Sequence, residues 1–202
     1  MQIQEEKTES IPQPAEPETA KGGKGFFAEL LSWALHLAVA AAIVLLVYTF
    51  LLQPVRVDGR SMCNTLQDGE LMLVTKPEYL LGDPAFGDVV TCRYPGRGNA
   101  TFVKRVMGLP GDVIEIRDNI VIRNGEAVSE PYLTADLNNN GFDMEPFTLG
   151  DEEYFVMGDN RDHSHDSRNY YSDGTPAAIT RDMILGHVRW IIFPLSGIRG
   201  VE

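Results

Sequence analysis

Cysteine is nearly absent from this chain: Cys63 and Cys92 are the only two among 202 residues. Two thiols cannot staple a small secreted fold, which excludes a disulfide scaffold, and both are read as separate reduced thiols packing as small apolar residues. Histidine is also scarce, with only His36, His163, His165 and His187. None has the spacing of a cysteine-protease pattern, and His163-x-His165 lacks a third ligand at metal-site spacing. Both are expected as exposed loop histidines, with no metal. Positive charge is the third shortage. The formal net charge is −12, and from Gln53 onward 14 Lys/Arg face 23 Asp/Glu. A phosphate-binding surface needs clustered cations, so nucleic acid is excluded as a partner. Long apolar runs are limited to one, and no internal repeat is present.

Residues 1–25 are rich in Glu, Pro, Gln, Thr and Gly and hold almost no large apolar side chains. Such a segment cannot bury enough surface to offset its ordering entropy and is expected to be a disordered tail. Residues 26–53 form the apolar run, with twenty uncharged residues from Trp33 to Leu52. At ~1.5 Å per residue this length crosses a bilayer core of about 30 Å. Trp33 and Tyr48 sit near its two ends, where amphipathic rings favour the interface. A cleavable leader would carry an apolar region of only about 7–15 residues and end in a small-x-small site. This run is longer and ends in Phe50-Leu51-Leu52-Gln53-Pro54, which predicts an uncleaved single-span anchor followed by one domain over 54–202. Lys21 and Lys24 precede the span, and Arg56 and Arg60 follow it, so charge alone does not orient it.

From Val55 onward the pattern is β. Short runs rich in β-branched and aromatic residues recur at Val55–Val57, Leu71–Val74, Asp88–Tyr94, Thr101–Met107, Val113–Ile116, Ile120–Ile122, Tyr154–Met157 and His187–Phe193. Asp118-Asn119 reads as a hairpin turn, Asn124-Gly125 as another, and Leu109-Pro110-Gly111-Asp112 as a turn with glycine at the positive φ. Many short strands with little helix predict a mainly β domain of Greek-key or barrel kind. One helix is expected at Ser61 or just after it, its N-terminal amides suited to an oxyanion. Residues 135–145 read as a loop.

Two residues carry candidate chemistry. Ser61 lies in Asp58-Gly59-Arg60-Ser61-Met62-Cys63-Asn64-Thr65-Leu66, directly after the apolar span. Alone it would be a helix-capping serine. Lys104 interrupts the apolar run Thr101-Phe102-Val103-Lys104-Arg105-Val106, and period-two geometry puts Phe102, Lys104 and Val106 on one face. An amine buried there loses hydration, its pKa falls, and it can act as a general base beside a serine nucleophile. Gly59 permits close backbone approach, so the N–H groups of Gly59 to Ser61 are candidate oxyanion donors. A calcium loop starting at Asp159 fails, because Arg161, Ser164 and Tyr170 stand where Asp/Asn, Gly and Glu are required. A Ser-x-x-Lys site fails as well, because Asn64 follows Ser61 by three.

Ser61-Met62-Cys63-Asn64-Thr65-Leu66, Gly87-Asp88-Val89-Val90, Val103 through Asp112 and Gly158 through Arg168 resemble, in order, the successive boxes of the type I signal peptidases. The resemblance implies a mainly β signal-peptidase domain behind a single N-terminal transmembrane helix. It also implies a membrane-bound serine endopeptidase that needs no cofactor and removes signal peptides from secreted preproteins after a small-x-small site. By the same resemblance Ser164 orients the base Lys104, Arg105 pairs with Asp159, and Asp166 pairs with Arg168. An extended substrate would run along Val55-Arg56-Val57 and Thr101-Phe102-Val103, with Val55, Val57, Phe102 and Val103 shaping shallow apolar pockets. Some members carry a serine at the Gly59 position as an extra oxyanion donor, and most have proline where Asn64 stands. The implied setting is the plasma membrane, with a cytoplasmic N-terminus and the catalytic domain outside, acting as a monomer on signal peptides at the lipid bilayer. Two rivals are a self-cleaving repressor, which would need a DNA-binding module and no span, and a catalytically inactive surface-binding domain of the same fold.

Overall fold

The computed structural model describes residues 25–94, 97–171 and 173–201. The expected tail over 1–25 therefore lies, apart from Gly25, outside the described residues. The chain divides into two compact units, Met1–Ala42 and Ile43–Glu202. Helix α1, Phe26–Phe50, is apolar all round rather than on one stripe. Its stretch Phe26–Tyr48, with mean hydropathy 2.4, is the one helix among the described residues long and apolar enough to cross a membrane.

The strands of the second unit pair antiparallel. Its strands are β1 (Leu52–Arg56), β2 (Leu71–Thr75), β3 (Val89–Cys92), β4 (Phe102–Gly108), β5 (Val113–Arg117) and β6 (Ile120–Arg123). They continue with β7 (Glu126–Ala127), β8 (Met144–Thr148), β9 (Glu153–Met157), β10 (Ile179–Thr180), β11 (Ile184–Phe193) and β12 (Arg199–Gly200). The larger sheet runs β1-β2-β11-β3-β4-β9-β10, with β12 on β11, and the smaller runs β7-β6-β5-β8. In the larger sheet β1 and β4 are separated by three strands, yet Val55 and Val103 line one cleft. The sheet therefore curls, and its concave face is where the site lies. Pro54 sits in β1, an edge strand, where a missing N–H costs no ladder bond.

The turns follow their residues. Asp118 and Asn119 both take positive φ, 50° and 64°, in a two-residue hairpin between β5 and β6. Asn124 and Gly125 do the same between β6 and β7. Asp112 N–H donates to the Leu109 carbonyl at 3.0 Å, closing the Pro110-Gly111 turn with Gly111 at φ 81°.

Two expectations are corrected. No helix starts at Ser61: the segment 61–65 is a succession of turns, closed by Cys63 N–H to Arg60 O at 3.1 Å and Leu66 N–H to Met62 O at 2.8 Å. Asn64 at φ 86° takes the left-handed conformation, which ends any helical run there, and its Nδ2 donates to Thr134 Oγ1 at 3.0 Å. Proline, fixed near φ −65°, has no access to that conformation. The short helix present, α2 (Glu78–Leu81), lies after β2. Residues 135–145 are not all loop, because a 3₁₀ turn covers Ala135–Leu137 and β8 begins at Met144.

Core packing follows the alternation along β4. Phe102 and Val106 face the cluster of Val90, Cys92, Tyr154 and Ile179, whereas Val103 packs on Val57, Met62 and Leu66. Met107 joins Ile114, Ile116, Met144 and Phe155, which brings residues of both sheets into one cluster. Phe155 is fully buried there. Phe155→Ala is expected to destabilise the domain by about 3–5 kcal/mol, measured by denaturant unfolding.

Candidate active site

The turn that carries Ser61 is held from below by apolar anchors. Val57 N–H donates to Glu70 O at 2.8 Å, and the chain then reverses at Gly59, whose φ of 104° is disfavoured for any other residue. Met62 and Leu66 are buried in the core on the far side of Ser61, which is left half-exposed at the cleft. From the side, Asn160 donates its backbone N–H to the Ser61 carbonyl at 2.9 Å and its Nδ2 to the Arg60 carbonyl at 3.0 Å. No sequence argument singled out Asn160. A side-chain amide offers donors, but spacing does not tell which carbonyls it meets 100 residues away.

Ser61 and Lys104 come together. Lys104 Nζ lies 3.0 Å from Ser61 Oγ and donates to the Val103 carbonyl at 2.9 Å. Lys104 is 1% exposed. Burial pushes its amine below the ordinary lysine value of 10.5, and the nearby acidic groups, Asp166 and Asp159 among them, restore only part of that loss. The Cys92 thiol shares the same dry neighbourhood and is pushed up to about 12 by burial. Both cysteines are free, Cys92 buried and Cys63 half-buried. An unprotonated amine at this distance can take the proton of a serine hydroxyl.

Of the expected oxyanion donors, the Gly59 N–H is already engaged, donating to Asp68 Oδ1 at 2.9 Å. The N–H groups of Arg60 and Ser61 have no acceptor among the described residues and are left to donate at this turn. Ser164 is not hydrogen-bonded to Lys104. Its Oγ is buried and within hydrogen-bond geometry of no group among the described residues, although it lies near enough to the Asp166 carboxyl to help keep it ionised. The Ser164 hydroxyl packs instead against Gly158, where an added Cβ would stand 2.2 Å from Ser164 Oγ and 2.5 Å from the Ser61 carbonyl oxygen. Only glycine lets the two segments meet so closely.

The supporting charges are paired. Arg105 and Asp159 form a two-pronged buried ion pair, Nε to Oδ1 at 3.0 Å and Nη2 to Oδ2 at 2.8 Å. Arg105 also donates to Gly87 O at 2.9 Å and lies over the Tyr132 ring, while Thr65 in the Ser61 turn donates to Asp159. Asp166 receives Arg168 Nε at 2.8 Å and Nη2 at 2.9 Å, together with the Gly158 N–H at 3.0 Å. Burial opposes its ionisation, but the Arg168 guanidinium and the Gly158 amide hold its carboxyl below the usual range. A further buried pair, Arg161 with Glu130, was not foreseen, since nothing local links residues 31 apart.

Val55, Val57, Phe102 and Val103 line a cleft of about 310 Å³ together with Gly59, Ser61 and Lys104. His163 and His165 are exposed, and among the described residues no group of three His, Cys, Asp or Glu could hold a metal ion.

Comparison with known proteins identifies the family. Residues 30–193 match the family model described as signal peptidase, peptidase S26. Signal peptidase I P of Bacillus subtilis subsp. natto is 36% identical over 179 residues, covering 84% of this chain and 92% of that protein. Signal peptidase IB of Staphylococcus aureus is 33% identical over 183 residues, covering 83% and 92%. A crystal structure of a signal peptidase I from Enterococcus faecalis, 28% identical, covers 53% of this chain and 97% of that one, with a TM-score of 0.43. The protein is a hydrolase of the serine endopeptidase class. The chain belongs to the signal peptidase family, peptidase S26.

The depressed pKa of Lys104 has a consequence for stability. Between that pKa and 10.5 the unfolded chain holds a proton that the folded chain lacks, so stability rises with pH across the interval. Lys104→Met removes the buried amine. The variant is expected to unfold at higher denaturant than wild type at about pH 7, with the margin shrinking by about pH 9.5.

Proposed function

We propose that this protein is a membrane-anchored endopeptidase that removes N-terminal signal peptides from secreted preproteins after a small-x-small site. Ser61 serves as nucleophile and Lys104 as general base. The observation that carries the reading is the 3.0 Å approach of a buried, water-stripped Lys104 amine to the Ser61 hydroxyl. Neutral Lys104 Nζ takes the Ser61 Oγ proton as Oγ attacks the scissile carbonyl. The Ser61 N–H, which has no acceptor of its own, steadies the oxyanion. Lys104 then delivers its proton to the leaving amine, and the signal peptide remains as an ester on Ser61. Water, deprotonated by Lys104, hydrolyses that ester and restores the enzyme.

Asn160, the Arg105–Asp159 pair and the Asp166–Arg168 pair act as supports that fix the turn and the base rather than as reacting groups. The walls of Val55, Val57, Phe102 and Val103 favour small side chains beside the scissile bond. The helix Phe26–Tyr48 would hold the domain at a bilayer, with residues 1–25 cytoplasmic and 54–202 outside, acting as a monomer. No cofactor enters the scheme.

The test is cleavage of a preprotein carrying an Ala-x-Ala site, in detergent, by wild type, Ser61→Ala and Lys104→Ala, each confirmed folded. Wild type is expected to cut at the predicted bond, and both variants to fall by on the order of 10³-fold or more. Equal cleavage by all three would move the chemistry away from this pair, and cleavage by none would leave a binding domain. Removing residues 1–52 is expected to keep cleavage of a short peptide in solution and to weaken cleavage of membrane-inserted preprotein. Comparing the two substrates with one truncated protein checks the anchor.

A further inference from the structure

The cleft at Ser61 continues into a second one. A cavity of about 290 Å³ shares Val55 and Thr101 with it and is otherwise lined by Gln53, Lys76, Thr91, Arg93 and the apolar Val74 and Leu185. Its lining holds two cations and no carboxylate, in a chain whose net charge is −12. The exposed Arg93 guanidinium pairs with no carboxylate among the described residues.

Strand geometry sets the order of positions. Side chains of one face recur every second residue, about 6.6–7 Å apart along a strand. Val57, Val55 and Gln53 thus stand in one row leading away from Ser61. On the opposite wall the pairing of Cys92 with Phe102 puts Arg93 across from Thr101, two residues further from Lys104 than Val103. An extended peptide that places small side chains near Val57 and Val55, at the first and third positions before the cut, has its next same-face side chain beside Gln53. That is the fifth position before the cut, and it meets Lys76 and Arg93.

We infer that Gln53, Lys76 and Arg93 form a subsite for the fifth residue before the scissile bond, and that it selects an acidic or hydrogen-bond-accepting side chain over a basic one. The inference rests on the cleavage reaction proposed above, with the acyl half of the substrate lying along β1. The exposed Arg93 guanidinium disfavours a basic side chain in this recess by direct repulsion and is relieved by a carboxylate, with the Lys76 charge lining the same cavity. Thr91 and Thr101 supply hydroxyls for a neutral polar side chain.

The test uses three preproteins, identical except for Glu, Gln or Lys at that position, and compares wild type with the double variant Lys76→Gln/Arg93→Gln. Wild type is expected to cleave the Glu substrate about five- to tenfold better than the Lys substrate in kcat/KM, with a preference that shrinks as salt is raised. The double variant is expected to lose that preference, its rates on the Glu and Lys substrates converging. Equal rates on all three by wild type, or a preference that survives in the double variant, overturns the subsite alone. A preference that follows the same substitutions made after the cut, and not before it, overturns the assigned direction of the peptide. Failure of wild type to cut even the Gln substrate sinks the reaction itself, and the subsite with it.

Discussion

Lys104 has lost nearly all contact with water, and everything around it is arranged to tolerate that loss. An amine in bulk water keeps its proton at neutral pH and is useless as a base, whereas one among Val90, Cys92, Phe102 and Val106 holds it less tightly. The same burial makes the position demanding. The amine reaches only two partners, Ser61 Oγ and the Val103 carbonyl, and both lie at its own end of β4. Any slack in the turn that presents Ser61 would let water back in, so the turn has to be rigid without being part of a regular element.

Rigidity comes from polar groups that are themselves buried and bonded to one another. Asp159 ties Thr65 in the Ser61 turn to Arg105 in β4, while the next residue, Asn160, holds the carbonyls of Arg60 and Ser61. Asp166 receives both the Gly158 amide and Arg168, which closes the segment on itself. Charges in such places stabilise only when each has its counterpart, and removing one partner exposes the other to an unsolvated site. Strand β4 carries Lys104 toward one face and Arg105 toward the other, and the same short segment after β9 pairs with Arg105 and holds the carbonyl of Ser61, the residue that Lys104 meets.

Much of this was legible in the sequence because it is written in local patterns. The alternation along 101–107 separated Lys104 from Arg105, and Asp118-Asn119, Asn124-Gly125 and Pro110-Gly111 marked their turns through residues that accept positive φ. The pairing of Arg105 with Asp159, 54 residues apart, came from family resemblance, since no local rule links them. The helix expected after Ser61 does not form because Asn64 turns left-handed, a choice tied to a contact with Thr134 that lies 70 residues on. Strand β8 was hidden by Pro146 and the acidic residues around it, which read as loop until β5 supplies a partner. Ser164 is assigned by family resemblance and the Gly59 amide by glycine's backbone freedom, whereas one packs against Gly158 and the other is held by Asp68.

The two walls of the cleft, β1 and β4, are not neighbours, and between them lie β2, β11 and β3. The gap between the walls is therefore the chord of an arc, fixed by how strongly those three strands bend. The register slips on both sides of β11, and at Gly186 an added Cβ would stand 2.6 Å from Val74 Cγ1 and 2.9 Å from the Thr75 carbonyl oxygen. Irregularities of this kind bend a strand and increase its twist. The sheet acts as a calliper whose jaws are Val55 and Val103 and whose joint is β11. The width of the cleft beside Ser61 is then set as much at the joint, several strands away, as in the jaws themselves.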